Sequence, residues 1–357
     1  MATAHPVGVR RRGEFARRQL RSTATPTTPL IARMRLLRWT MQVLALVGTL
    51  ALAACGGTPP ASTPTATAGA VTSTTTAVEL PNIVVTYSVL ASVVRELVDG
   101  VAVVQTLIPD GQDPHDYEPS ARDIETLNRA DFVVANGLHF EAGLDAALER
   151  LGSNGRPIFY VIEHVTARLM DDADDGHDHG DTTDSDGHDH GSIDVHVWTS
   201  PATLVDMIRP LAADIGAVLG VDLTSAADDL VTSLNALDSE IIDVIATIPR
   251  CELVTGHNEL GYFADRYGCD LIGTVIPSST TSAEASAGQL ANLKKTISEH
   301  RASVIFTSLG TPQAVAEQIA RESGVRVVVL STHVMGDADS YATFMRRLAG
   351  DIADALA

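Results

Sequence analysis

Beyond residue 82 the chain alternates short β-branched apolar runs with longer amphipathic ones, and this alternation constrains the fold more than any other feature. The spacing predicts strands at 83–87, 101–107, 132–135 and 158–161. After a break it predicts four more, at 252–255, 270–275, 303–307 and 325–330. Helical patterns lie between them at 90–98, 120–129, 142–151, 261–267, 283–300 and 312–323. Strands that are apolar on both faces and separated by helices belong in parallel sheets covered on both sides. Two clusters of four therefore predict an α/β fold of two lobes, each with a four-stranded parallel sheet. A length of 357 residues suits that division, since domains usually hold about 100–150 residues.

Residues 222–248 join the clusters without a Gly or Pro and place Leu230, Leu234, Leu237, Ile241, Ile242, Val244 and Ile245 mostly at helical spacing. At 1.5 Å per residue this is roughly 40 Å of helix, and its position predicts a rigid connection between the lobes. The first lobe is expected over 82–221 and the second over 249–357. One stretch, 171–191, interrupts the first lobe with nine Asp and four His. Its only apolar residue is Ala173, and residues 175–180 recur unchanged at 186–191. Such a segment lacks the means to build a core and reads as a solvated loop.

Nine of the 25 basic residues precede residue 39, where Glu14 is the only acid, so the body is more acidic than the formal charge of −20 for the whole chain. A body of that sign repels phosphate backbones, which argues against nucleic acid as a partner and suits the handling of cations. The basic leader runs into an apolar stretch at 43–54, too short for the ~20 residues of a spanning helix and matching a signal-peptide core. It ends in Leu52-Ala53-Ala54-Cys55, which resembles a bacterial lipobox. Residues 1–54 are then a signal peptide, and Cys55 the lipid-bearing first residue of the mature chain. The alternative is a secretory signal with an incidental cysteine. Residues 58–78, almost entirely Thr, Ser, Pro, Ala and Gly, read as a flexible part of a tether over 55–81, reaching roughly 25 Å.

Three motifs carry chemistry. Asp113-Pro114-His115-Asp116-Tyr117-Glu118-Pro119 follows the second predicted strand, Asp194-Val195-His196-Val197-Trp198 follows the acidic loop, and Gly256-His257-Asn258-Glu259-Leu260-Gly261-Tyr262 follows the first strand of the second lobe. Sites in open α/β sheets form beyond the carboxyl ends of strands, the address of His115 and His257. Three neutral imidazoles suit a transition metal, Zn²⁺ above all. Asp113 and Asp194, each two residues before a histidine, are expected to accept hydrogen bonds from the rings.

Taken together and in this order, the motifs resemble the zinc/manganese solute-binding lipoproteins of bacterial ABC importers. The resemblance runs from residue 82 to the C-terminus and extends to Asp339-Ser340-Tyr341 and to the His/Asp-rich loop of the zinc-specific branch. It implies two βα lobes joined by one long helix, with a metal in the cleft between them. His115 and His196 would come from the first lobe and His257 from the second. It further implies a non-enzymatic, monomeric receptor outside the cytoplasm that hands its cargo to an ABC permease. A histidine at 257 favours zinc, because the harder Mn²⁺ prefers carboxylate oxygen.

Two departures stand out. Where the family often has an aspartate as fourth ligand, this chain has Ser331-Thr332-His333, so either water or His333 completes the site. Ser308-Leu309 stands where the family often has a glutamate. His177, His179, His188 and His190 in the loop are expected to capture zinc weakly, since ordering a floppy segment costs entropy. His139, at the end of the third strand, could face the cleft and reads as a residue that supports a ligand or packs, and His164 and His300 read as surface residues. Cys251 and Cys269 each abut a predicted strand, and in an oxidising compartment a disulfide between them is expected. The competing functional class is a zinc hydrolase, for which Glu259 is the only general-base candidate. A manganese or copper receptor of the same fold is the nearer alternative.

Overall fold

Four short strands rich in β-branched residues build the first sheet: β1 (Asn82–Val85), β2 (Val103–Thr106), β3 (Phe132–Ala135) and β4 (Ile158–Tyr160). They lie in the order β2-β1-β3-β4, all parallel. The computed structural model describes residues 79–170, 193–278, 280–281 and 283–357. The proposed leader, Cys55, most of the tether, and the loop holding His177, His179, His188 and His190 lie outside the described residues.

Both faces of this sheet are covered, as the unbroken apolar strands require. Ile83, Val85, Phe132 and Val134 point into one core, whereas Val84, Val133 and Ala135 point into another. That alternation is the period of two along a strand. The second core is closed by α2 (Ala121–Arg129) and α3 (Asp145–Ser153). The first is closed by α1 (Ser88–Leu97) and by the helices that follow the sheet.

Helix α4 (Pro201–Leu219) is absent from the elements read in the sequence. Its start carries clear signals: Ser200 caps it by accepting from the Thr203 amide, and Pro201 occupies the first turn, where its missing N–H costs nothing. Pro210 and Gly216 inside the helix mask it, yet Leu204, Met207, Ile208, Leu211 and Ile215 bury one continuous face. Helix α5 (Thr224–Ile245) spans 22 residues, roughly 33 Å. Leu230, Leu234, Leu237, Ile241 and Ile245 face inward, but Ile242 and Val244 are exposed. The helix is no bare strut: it packs along α4 and along the C-terminal α9 (Tyr341–Leu356).

The second lobe holds β5 (Glu252–Thr255), α6 (Gly261–Tyr267), β6 (Asp270–Thr274), α7 (Ala287–His300), β7 (Val304–Thr307), α8 (Gln313–Ser323) and β8 (Arg326–Val329). Its strands are parallel but form two pairs, β5–β6 and β7–β8, with β5 lying beside β7. This differs from the single four-stranded sheet expected. The register of β5 shifts between Leu253 and Val254, and such an irregularity twists a strand out of line with its neighbours. Cys251 and Cys269, just before the two paired strands, are joined in a disulfide, and the Asp270 amide donates to the Cys251 carbonyl at 2.8 Å.

One apolar cluster runs from β1 and β3 through α1, α4, α5, α6 and α9 to β7, so both lobes share a core. Among the described residues no helix is long and apolar enough to cross a membrane.

Candidate metal centre

Each candidate histidine sits in or beside a short turn or just past a strand. His115 lies in a turn over Pro114–Asp116, whose preceding Asp113 accepts from the His115 amide at 3.0 Å. His196 leads into a turn over Val197–Thr199. His257 follows β5, where Thr255 Oγ1 donates to its carbonyl, and His333 follows β8. All four side chains are buried, and their ligand atoms all lie within 4.8 Å of one another. The structure thus brings together the three motif histidines and adds His333, the residue left open in the sequence.

The arrangement has a shape. The six ring-to-ring distances among His115, His196, His257 and His333 run only from 5.1 to 5.6 Å. Four points at nearly equal mutual distances form a tetrahedron. The Nε2 atoms of His115 and His257 lie 3.3 and 3.2 Å from Nε2 of His196. A tetrahedral ion with metal–nitrogen bonds of about 2.0–2.1 Å sets its ligand atoms about 3.3–3.4 Å apart. The spacing matches.

Hydrogen bonds decide which nitrogen faces inward. Asp194, fully buried, accepts from the His196 amide at 3.0 Å and from Nδ1 at 2.8 Å, leaving the Nε2 lone pair for the centre. The Thr332 hydroxyl donates to Glu259 Oε2 at 2.6 Å and so accepts from Nδ1 of His333 at 2.9 Å. His333 Nε2 is then a buried lone pair with no hydrogen-bond partner among the described residues. A cation would satisfy it.

Burial, and then the neighbouring rings, hold the imidazoles of His115, His257 and His333 well below their ordinary value, which keeps their lone pairs free at neutral pH. Glu259 lies behind the cluster, 3.7 Å from His257 Nδ1 and 3.6 Å from His333 Nδ1. Burial pushes its carboxyl up to about 7, against the opposing hydrogen bonds from Thr332 and Ser308. Ser308, where the family often has glutamate, thus serves as a donor to Glu259.

Three sequence expectations need correction. Asp113 touches no imidazole nitrogen: one oxygen caps the His115 turn, and the other accepts from Thr281 Oγ1 at 2.7 Å. A side chain at Gly310 would collide with that same oxygen, so the glycine leaves room for the carboxylate to turn toward the second lobe. His139 is exposed and paired with Asp145, apart from the histidine cluster. His164 is half-buried and stacks on Phe159. Sequence reasoning also missed Arg168, which binds Asp265 at 2.7 Å and approaches Asp194 at 3.7 Å, tying the His196 segment to α6. No local pattern marks that residue.

Known proteins resemble this chain at the levels of sequence and fold. It is 26% identical over 289 residues to the high-affinity zinc uptake system protein ZnuA of Yersinia pestis, covering 75% of this chain and 88% of that protein. The Bacillus subtilis (strain 168) protein of the same name is 28% identical over 257 residues, covering 70% and 78%. In fold, the periplasmic zinc-binding protein TroA from Treponema pallidum superposes with a TM-score of 0.66 at 24% identity, over 78% of this chain and 99% of that one. Residues 83–355 match the sequence model of ZnuA, the zinc-uptake complex component A, periplasmic, and the chain belongs to that family.

Proposed function

We propose that this protein captures Zn²⁺ outside the cytoplasm and delivers it to an ABC-type importer. The observation that carries the reading is the tetrahedron of four buried imidazoles, two from each lobe, with ligand atoms within 4.8 Å of one another and with His115 and His257 set from His196 at the edge length that zinc requires. Four nitrogen donors with no carboxylate among them favour Zn²⁺ over the harder Mn²⁺. The two positive charges of the ion are met from outside the ligand set, by Asp194 behind His196 and by Glu259 behind His257 and His333. His115, His196, His257 and His333 are the ligands in this reading.

The same geometry speaks against a zinc hydrolase. Catalytic zinc keeps one place open for water, whereas His333 fills the fourth corner. Glu259 is engaged by Ser308 and Thr332 and lies behind the rings instead of facing a bound water. The remainder of the reading rests on the sequence. The lipid on Cys55 anchors a monomer to the outer face of the membrane, residues 55–81 tether it, and His177, His179, His188 and His190 collect zinc weakly before the main site takes it.

Metal content and competitive titration of the exported chain test this. Expected is one tightly held Zn²⁺ per chain, preferred over Mn²⁺, and a loss in His257→Ala at least as large as the ~10–100-fold that removal of an outer partner costs. Preference for Mn²⁺ would overturn the assignment of cargo. Ester or peptide turnover lost in Glu259→Gln, with zinc retained, would overturn the receptor.

A further inference from the structure

His333 follows a strand of the second lobe, yet the backbone just beyond it is fastened to the first. Asp110, in the turn after β2, accepts from the Met335 amide at 2.8 Å with Oδ1 and from the Gly336 amide at 2.9 Å with Oδ2. Ser88, at the start of α1, donates to the same Oδ1 at 2.6 Å and holds the carboxylate in place. Gly336, with φ of 57°, is the left-handed residue that lets successive N–H groups converge on one anion. A second tie, from Trp198 Nε1 to the Thr332 carbonyl at 2.7 Å, is buried.

We propose that Asp110 is a positioning residue: an inter-lobe latch that seats the fourth imidazole on the metal and whose opening sets the rate of zinc release. The proposal rests on the zinc-receptor reading. A carboxylate bridging two adjacent amides fixes both the place and the direction of a segment, and charge-assisted bonds are the strong ones. The latch is also at the surface. Asp110 is exposed in the wall of a groove of about 700 Å³ between α1 and the His333 loop. Water reaches those bonds, so the loop can lift at the cost of drawing Met335 from the edge of the core that the lobes share. His196 is held by a short turn within the first lobe and His257 by β5, whereas the His115 turn has its own tie across the cleft, through Asp113 to Thr281.

The test is zinc release from the full chain into excess chelator, followed by stopped flow. Asp110→Asn keeps the size but removes the charge and sets an amide donor against the Gly336 N–H. Release is expected to rise by about 10–100-fold, the usual effect of losing an outer partner of a metal ligand. His333→Ala should release faster than the parent, and Asp110→Asn in that background should add nothing. Asp337→Asn is the control: Asp337 belongs to the same loop but pairs with Arg347, and its loss should leave release unchanged. Cobalt loading supplies a second readout, because the visible absorption of Asp110→Asn should move toward that of His333→Ala. Parental release by Asp110→Asn, or a full added effect on top of His333→Ala, would overturn the latch and leave the receptor standing. A parent that takes up no Zn²⁺ would overturn both.

Discussion

Two aspartates stand at the same spacing before two candidate ligands, yet only one reaches a ring. Oδ2 of Asp194 is walled in by Arg168 and the backbone of Gly261, and this turns Oδ1 to the His196 ring. Asp113 finds Thr281 across the cleft and turns to it. The two-residue spacing was legible; the partner that decides its meaning came from another lobe. Asp194→Asn is therefore expected to lower zinc affinity by about 10–100-fold, and Asp113→Asn by less, as a chelator competition would show; equal losses would contradict the geometry. Glu141 makes a separate prediction. It is buried, accepts from the Asn136 amide at 2.8 Å, and burial pushes its carboxyl up to about 7 from 4.5. A carboxyl raised in the folded state is favoured protonated, so its contribution is full below pH 4.5 and is lost as pH climbs to 7. At 1.36 kcal/mol per unit the loss is about 3 kcal/mol. Glu141→Gln cannot ionise, so melting curves at pH 5 and pH 8 should lie closer together for this variant than for the parent. An unchanged gap would mean that Glu141 does not titrate in this range.

At the level of elements, legibility followed the clarity of the pattern. The strands Phe132–Ala135 and Glu252–Thr255 and the helix Gly261–Tyr267 coincide with the stretches read from β-branched runs and helical spacing. Helix α4 escaped because Pro210 and Gly216 break the pattern that Leu204, Met207, Ile208 and Leu211 otherwise make; burial on a large face outweighs those local costs. The pairing of the second-lobe strands was not legible either, because register depends on neighbours distant in sequence. His333 lay in the same blind spot: only the approach of the loop after β8 to the first lobe reveals which way its ring points. The disulfide gives this scale its prediction. It closes a loop of 18 residues at the entry to β5 and β6, worth about 3 kcal/mol by loop entropy. Replacing both cysteines with serine should lower the melting temperature while sparing zinc affinity. The far end of β5, where His257 begins, is held by the Val275 amide donating to the Thr255 carbonyl at 2.9 Å. A large drop in affinity with intact melting would reverse that assignment.

At the scale of the whole described body, the question is how a buried ion enters and leaves. Wide closure of two lobes needs an interface that can part, and this one is a continuous apolar core. Trp198 from the first lobe and Tyr341 and Phe344 from α9 are nearly or fully inaccessible to solvent. The Tyr341 hydroxyl donates to the Trp198 carbonyl at 2.7 Å. Exposing one such aromatic removes about 150–250 Å² from burial, or roughly 4–6 kcal/mol. Parting three of them would consume about as much free energy as nanomolar binding of a metal releases, ~12 kcal/mol. Helix α5, packed on α4 and on α9, further resists rotation of one lobe against the other. Exchange of the ion is therefore expected through local movement at the cleft mouth, with the lobes held nearly still. Small-angle scattering of the chain stripped of metal and loaded with Zn²⁺ checks this. The radius of gyration of a body this size is ~19 Å, and the two states should differ by far less than a hinge-bending receptor would show. Amide exchange should slow on zinc binding around residues 331–340 and stay unchanged along α5. A contraction of several ångströms on loading would show instead that the shared core separates, and the lobes, not the loop, would then be the moving parts.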